Sequence, residues 1–140
     1  MSDRVRDAMV PAPATLEAGA TAQDAGRRLI APEVRAVLVC DDGRLLGVVT
    51  RKTLVREVVA TGRDPAATPL REIAEPPRFT LDADLPLDAG FHLLEEHDFE
   101  RVPVVENGRL VGVLSRAVVQ RRLAEDEPPE LDPDPGSVVL

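Results

Sequence analysis

Two ten-residue stretches carry the residues best suited to chemistry, and they are copies of one another. Gly43–Lys52 reads GRLLGVVTRK and Gly108–Ala117 reads GRLVGVLSRA, 65 residues apart. In each, a glycine turn opens an aliphatic run, Leu45–Val49 or Leu110–Leu114, that ends in a hydroxyl residue, Thr50 or Ser115, followed by a cation. A strand that hands a capping hydroxyl to a helix start leaves backbone N–H groups unpaired there, which attracts an anion. The chemistry this predicts is anion binding rather than catalysis. Arg51, Lys52 and Arg116 fall in the first turns of the helices that follow, where the macrodipole disfavours cations by several tenths of a kcal/mol. They either share a phosphate with the exposed N–H groups or point into water. Arg35 and Arg101 precede a buried strand at matching places in the two copies. Alone, either is more often a surface residue; the repetition makes both candidates for phosphate.

Other reactive side chains fall into no working constellation. Gly112-Val-Leu-Ser115 is not a nucleophile elbow, and no histidine accompanies Ser115 in the pattern. His92 and His97 stand about 140° apart around an ideal helix and share no face, a poor metal pair. Cys40 ends an apolar run as a small core or edge residue, and Asp41–Asp42 belongs to a turn.

The elements that must position these residues also come in two sets. In the first, Ser2 caps a short helix with Val5, Ala8 and Met9 on one face, stopped by Pro11 and Pro13. Ala14–Leu16 is extended, and Thr21 with Asp24 opens a helix reaching Ile30. Ala36–Val39 and Leu45–Val49 form a strand pair, and a helix with Leu54, Val55, Val58 and Val59 on one side runs from Thr50 to Gly62. After a linker, Gly62–Ala67, the second set begins. Thr68 and Pro69 open a helix with Leu70, Ile73 and Ala74, and Phe79–Leu81 is extended. Leu87, Phe91 and Leu94 mark a helix, Val102–Val105 and Leu110–Leu114 a strand pair, and Val118, Val119 and Leu123 the last helix. Units of about 60 residues are too small to bury their faces alone, so the two should pack on each other about a pseudo-two-fold axis.

At 140 residues, 44% hydrophobic and 30% charged, the chain has the composition of one soluble globular domain. No apolar run approaches the roughly 18 residues of a membrane span, Met1–Gly19 has no signal-peptide core, and a single cysteine forms no intrachain disulfide. A cytoplasmic location is expected. Six carboxylates between Glu125 and Asp134 carry most of the net charge of −8, leaving −2 for the body. This Pro-rich acidic tail reads as disordered, with Val138, Val139 and Leu140 apolar at its end. With no Trp or Tyr and no basic stripe, nucleic acid is not an expected partner.

Taken together, the chain resembles a tandem pair of cystathionine-β-synthase (CBS) motifs, a Bateman module. The resemblance covers about Val5–Ala124 and rests on Gly47-Val-Val-Thr50, Gly112-Val-Leu-Ser115 and Arg101-Val-Pro-Val-Val in matching order at constant offset. It implies an α/β (α+β) fold of two β-α-β-β-α motifs. The segments are 1–65 (first motif with the N-terminal helix), 66–124 (second motif) and 125–140 (tail). It also implies a regulatory rather than catalytic protein that pairs into a homodimer. In its cleft the family binds AMP, ADP, ATP, S-adenosylmethionine or a similar anionic ligand. The residues of this chain matching that role are Thr50, Arg51, Lys52, Thr53, Ser115, Arg116, Arg35 and Arg101. The family's form continues Gly-h-h-Thr/Ser-x-x-Asp, the Asp binding ribose hydroxyls; the matching positions here are Thr53 and Val118. Two expectations follow: a ligand sensor that reports to a partner protein, or a ligand-free dimeric scaffold.

Overall fold

The computed structural model describes residues 3–11 and 14–126, with the side chains of 125 and 126 left aside. Its elements are α1 (Val5–Ala8), β1 (Thr15–Glu17), α2 (Ala22–Leu29), β2 (Val37–Asp41), β3 (Arg44–Val49), α3 (Arg51–Leu54), β4 (Leu81–Asp82), α4 (Leu87–Glu96), β5 (Arg101–Glu106), β6 (Arg109–Ser115) and α5 (Arg116–Asp126). One mixed sheet of six strands results, in the order β1-β2-β3-β6-β5-β4.

The sheet is two three-stranded halves joined at one point. Each half has a hairpin whose two turn residues both take left-handed φ: 51° and 84° at Asp42-Gly43, 53° and 80° at Asn107-Gly108. Such turns match the strand twist, and Asp, Asn and Gly tolerate them best. The hairpins interlock at their tips. Arg44 sits opposite Arg109, the Leu45 N–H donates to the Gly108 carbonyl (3.1 Å), and the Leu110 N–H donates to that of Gly43 (3.0 Å). The exchange maps one half onto the other with the 65-residue offset, so a pseudo-two-fold axis passes between the arginines. Farther along, Val48 exchanges two backbone bonds with Glu75 (2.8 and 2.9 Å), and Val113 does the same with Val10. Gly47 and Gly112 are required there. A Cβ would stand 2.6 Å from the Glu75 carbonyl oxygen and 2.8 Å from that of Val10.

Each half has its own core, and each borrows from the other's chain segment. Ala22, Ala25 and Leu29 of α2 pack with Val37, Val39, Val49 and Val58, closed by Leu70 and Ile73 from the segment leading into the second repeat. The second core holds Leu87, Leu94, Val102, Val104, Leu114 and Val119, closed by Val5 and Ala8 of α1. Charge reinforces that crossing: Arg6 of α1 pairs with Asp84 and Glu106, and Arg122 reaches Asp3 at 3.1 Å.

Several local expectations change. The helix expected from Thr68-Pro69 is a single 3₁₀ turn, Leu70–Glu72, because the backbone is still extended at Thr68 and Pro69, where Thr68 and Leu70 bond to the first repeat. A second 3₁₀ turn, Pro65–Ala67, lies within the expected linker. The helix after Thr50 is α-helical for one turn and then π-helical over Val55–Val59. That wider winding turns Val58 into the core at 3% exposure and leaves Val55 and Val59 outside at 58% and 72%. The extended piece at Phe79 reaches strand geometry only at Leu81–Asp82. The Ser2 cap, the Pro13 stop and tail positions 127–140 lie outside the described residues; the described α1 is capped by Asp7, whose carboxylate accepts from the Arg4 N–H at 2.7 Å.

Candidate functional site

In each repeat the last strand of the hairpin delivers its hydroxyl to the following helix, as the motif predicts, but the two helix starts differ in detail. Thr50 and Thr53 cap each other. The Thr53 N–H donates to Thr50 Oγ1 (3.2 Å), and the Thr50 N–H donates to Thr53 Oγ1 (3.0 Å). Thr53 is wholly buried, and its hydroxyl also donates to Glu75 Oε2 at 3.4 Å. Glu75 is ion-paired to Arg56. The first helix start is therefore covered by a carboxylate of the chain itself.

The cations expected there are differently placed. Arg51 folds back so that Nη2 donates to the carbonyls of Leu29 and Ala31 (2.9 Å for Ala31), closing the C-terminal end of α2. That end carries the negative pole and unpaired carbonyls, which a guanidinium satisfies well. Lys52 is exposed and forms no ion pair among the described residues. Arg35 is exposed just before β2.

The second helix start is looser. Ser115 accepts from the Val118 N–H only at 3.5 Å, and Val118 has no hydroxyl to return. Arg116 bridges Asp98 (3.2 Å) and Glu100 (3.3 Å), so its charge is spent within the chain. Arg101 is exposed, and its Cα lies directly opposite Ser115 in the β5–β6 register. Of the expected set, Arg101 and Ser115 are thus brought together, as are Thr50 and Thr53. Arg51 and Arg116 are drawn away to partners of their own.

Strand β6 also forms one wall of a cleft of about 290 Å³ between the repeats. Leu110, Val111 and Gly112 face Pro11, Thr15, Glu17 and Cys40 of the first repeat, with Gly43 at the edge. A register slip opposite Val104/Val105 bulges Val111 outward into this space, and Leu46 is bulged in the same way in the other hairpin. Burial, with the Glu17 carboxylate nearby, pushes the Cys40 thiol up, so it lines the cleft protonated at neutral pH. The cleft wall and the Glu75 cover were missed in the sequence. The signal was present for Glu75, which stands 65 residues after Val10 and so lies at the same place against the opposite hairpin.

A second hollow, about 460 Å³, lies on the outer face of the first repeat between α2 and the π-helical turn. It is lined by Gly26, Ile30, Leu54, Val58, Val59 and Pro65, among others. Ile30 is 79% exposed beside it. Among the described residues, no group of three or more His, Cys, Asp or Glu converges to hold a metal ion, and no helix is long and apolar enough to cross a membrane.

Comparison with known proteins matches this geometry to a family. A family model described as "CBS domain" matches twice, at residues 5–60 and 70–125. Hypoxic response protein 1 of Mycobacterium tuberculosis (strain ATCC 25618 / H37Rv) is 34% identical over 94 residues. The match covers 66% of this chain and 66% of that protein, just under two thirds of its length. The crystal structure of Hypoxic Response Protein I with two coordinated zinc ions is 28% identical, with a TM-score of 0.71 over 86% of this chain and 98% of that one. That of CBSX2 in complex with AMP is alike in fold, with a TM-score of 0.68 at 24% identity over 87% and 96%.

Proposed function

The chain belongs to the CBS domain family, with two of its domains in tandem, and from that premise we propose a regulatory, non-catalytic module that binds an adenine nucleotide or related adenosyl-type anionic ligand. The ligand occupies the cleft between the motifs, and its presence is passed to a partner protein in the cytoplasm. The observation that carries this reading is the continuity of β6. It runs from the cleft between the motifs at Leu110–Gly112 to a helix start where exposed Arg101 faces Ser115. A cleft on a strand that ends in a hydroxyl, a cation and a helix start suits a flat base carrying a phosphate. That CBSX2, of the same fold, was crystallised with AMP supports the ligand class.

The second motif carries the site because the first helix start is filled by Glu75 and Thr53. With Val118 in the place of the family's carboxylate, affinity must come from phosphate rather than ribose, and charge-assisted bonds are roughly twice as strong as neutral ones. Titration calorimetry with AMP, 2′-deoxy-AMP and adenosine tests this. AMP and 2′-deoxy-AMP should bind with similar affinity and adenosine at least tenfold more weakly. Strong discrimination against the deoxy form would refute the site.

The alternative reading is a ligand-free dimeric scaffold. Its support is the internal use of Arg51 and Arg116 together with exposed Ile30, Val55 and Val59 around an apolar hollow. Silence toward AMP, ADP, ATP and S-adenosylmethionine alike would favour it. In both readings the module is a homodimer.

A further inference from the structure

At the centre of the sheet the pseudo-two-fold axis brings together two arginines that form no ion pair with the described residues of either repeat. Arg44 and Arg109 are direct cross-strand partners, both exposed. Like charges directly opposite one another destabilise a sheet. Asp41 is opposite Arg44 on β2 and Glu106 opposite Arg109 on β5, but Glu106 pairs with Arg6, and among the described residues no ion pair joins Asp41 to Arg44.

Each side chain instead crosses the axis and lies on the other repeat's turn. The Arg109 guanidinium carbon is 3.0 Å from where a Cβ on Gly43 would stand, and that of Arg44 is 2.9 Å from the same point on Gly108. Arg44 Nη1 donates to the Asn107 carbonyl at 3.2 Å, leaving its remaining donors unused. Only glycine at both turn positions permits this crossing, and it is repeated in both halves. The glycines beneath the two heads are one strand apart and two residues apart along the strands, about 8 Å by strand geometry. A spacing of that order lets each head take one of two linked phosphates. Gly43, beneath Arg109, is also the edge of the inter-motif cleft.

The geometry points to a polyanion site on the pseudo-two-fold axis, in which Arg44 and Arg109 clamp a pair of linked phosphates between the interlocked hairpins. The site stands whether or not the cleft holds a nucleotide. The linked phosphates come either from free pyrophosphate or from the phosphate chain of a nucleoside triphosphate.

Titration calorimetry of the full chain at 150 mM salt tests it, using inorganic pyrophosphate, inorganic phosphate, ATP and AMP as probes. Pyrophosphate should bind saturably and at least tenfold tighter than phosphate. Arg44→Gln and Arg109→Gln should each weaken it at least tenfold, while Arg28→Gln, on the surface of α2, should leave it unchanged. If the source is a nucleotide, ATP binds tighter than AMP and loses that advantage in Arg44→Gln; if it is free pyrophosphate, ATP and AMP bind alike. Arg44→Glu gives an independent readout: it reverses the charge at one of the two heads, so it should abolish the response to pyrophosphate while circular dichroism shows the native fold. No pyrophosphate binding by the wild type, binding that survives in both glutamine variants, or binding that survives in a correctly folded Arg44→Glu would overturn the site.

Discussion

The two motifs share a backbone and differ in what they do with their polar ends. At the first helix start Thr50 and Thr53 bond reciprocally, Glu75 covers them, and Arg51 closes the preceding helix. At the second, Ser115 has a long cap bond, Val10 and Val118 stand where Glu75 and Thr53 do, and Arg101 is left facing the hydroxyl. The outer faces differ as well. Ile30, Val55 and Val59 are exposed on the first, whereas 65 residues later stand Glu95, Gln120 and Ala124. The first repeat thus closes its helix start with its own side chains and exposes an apolar face, and the second leaves its helix start more open. A few substitutions are enough to make two copies of one backbone differ in this way.

The largest effect expected lies in the exchanged core segments. Leu70 is wholly buried in the first core although it lies beyond that repeat's last helix. Leu70→Ala should cost about 2–5 kcal/mol by the usual cost of emptying a core site, measured by urea unfolding followed by circular dichroism. A loss below about 1 kcal/mol would break the crossed arrangement.

Next comes the apolar face. Val59→Asp should shift the chain from dimer toward monomer in light scattering at micromolar concentration, whereas Ala124→Asp, at the equivalent place in the second motif, should not. Equal effects would mean that both faces take part. Val58 is the wrong probe because it is core.

The caps give a smaller contrast. Thr50→Ala should cost about 1 kcal/mol, as for a well-made N-cap, and Ser115→Ala clearly less, since its bond is 3.5 Å long. A reversed order would remove the distinction between the helix starts.

The smallest effect is in acid. Asp24 of the first motif accepts from the Thr21 N–H at 3.0 Å, which, with the Thr21 hydroxyl, lowers its pKa; α4 has Pro86 at its cap and no such bond. A carboxylate held below its unfolded value stabilises the fold above that value and loses the contribution as pH falls through the folded one. Stability should therefore decline below about pH 4, and Asp24→Asn should flatten part of that decline. Asp84, held low by Arg6, acts in the same direction in the second core. An unchanged pH profile in Asp24→Asn would remove its share.

Much of this was legible in the residues. The 65-residue echo, the Asp-Gly and Asn-Gly turns and the Thr21–Asp24 cap each encode local geometry, and all appear where the pattern puts them. Family, fold and the tandem symmetry followed from them. What the pattern could not encode was partner choice at long range. Nothing local states that Arg51 reaches back to Leu29 and Ala31, or that Arg116 bridges Asp98 and Glu100. Helical periodicity read Val58 and Val59 as one face, because a π-helical winding leaves no mark in a sequence of aliphatic residues. Thr68-Pro69 has the chemistry of a helix start, but bonds to the first repeat hold the chain extended.

The division of labour between the motifs rests most directly on Arg101, so the decisive measurement is AMP titration of the wild type beside Arg101→Ala and Arg35→Ala. Arg101 opens β5 and Arg35 stands two residues before β2, and both are exposed. The account predicts one AMP per chain, about tenfold weaker binding for Arg101→Ala, in line with the loss of one charged hydrogen bond, and no change for Arg35→Ala. Two AMP molecules per chain, or equal losses in the two variants, would contradict it.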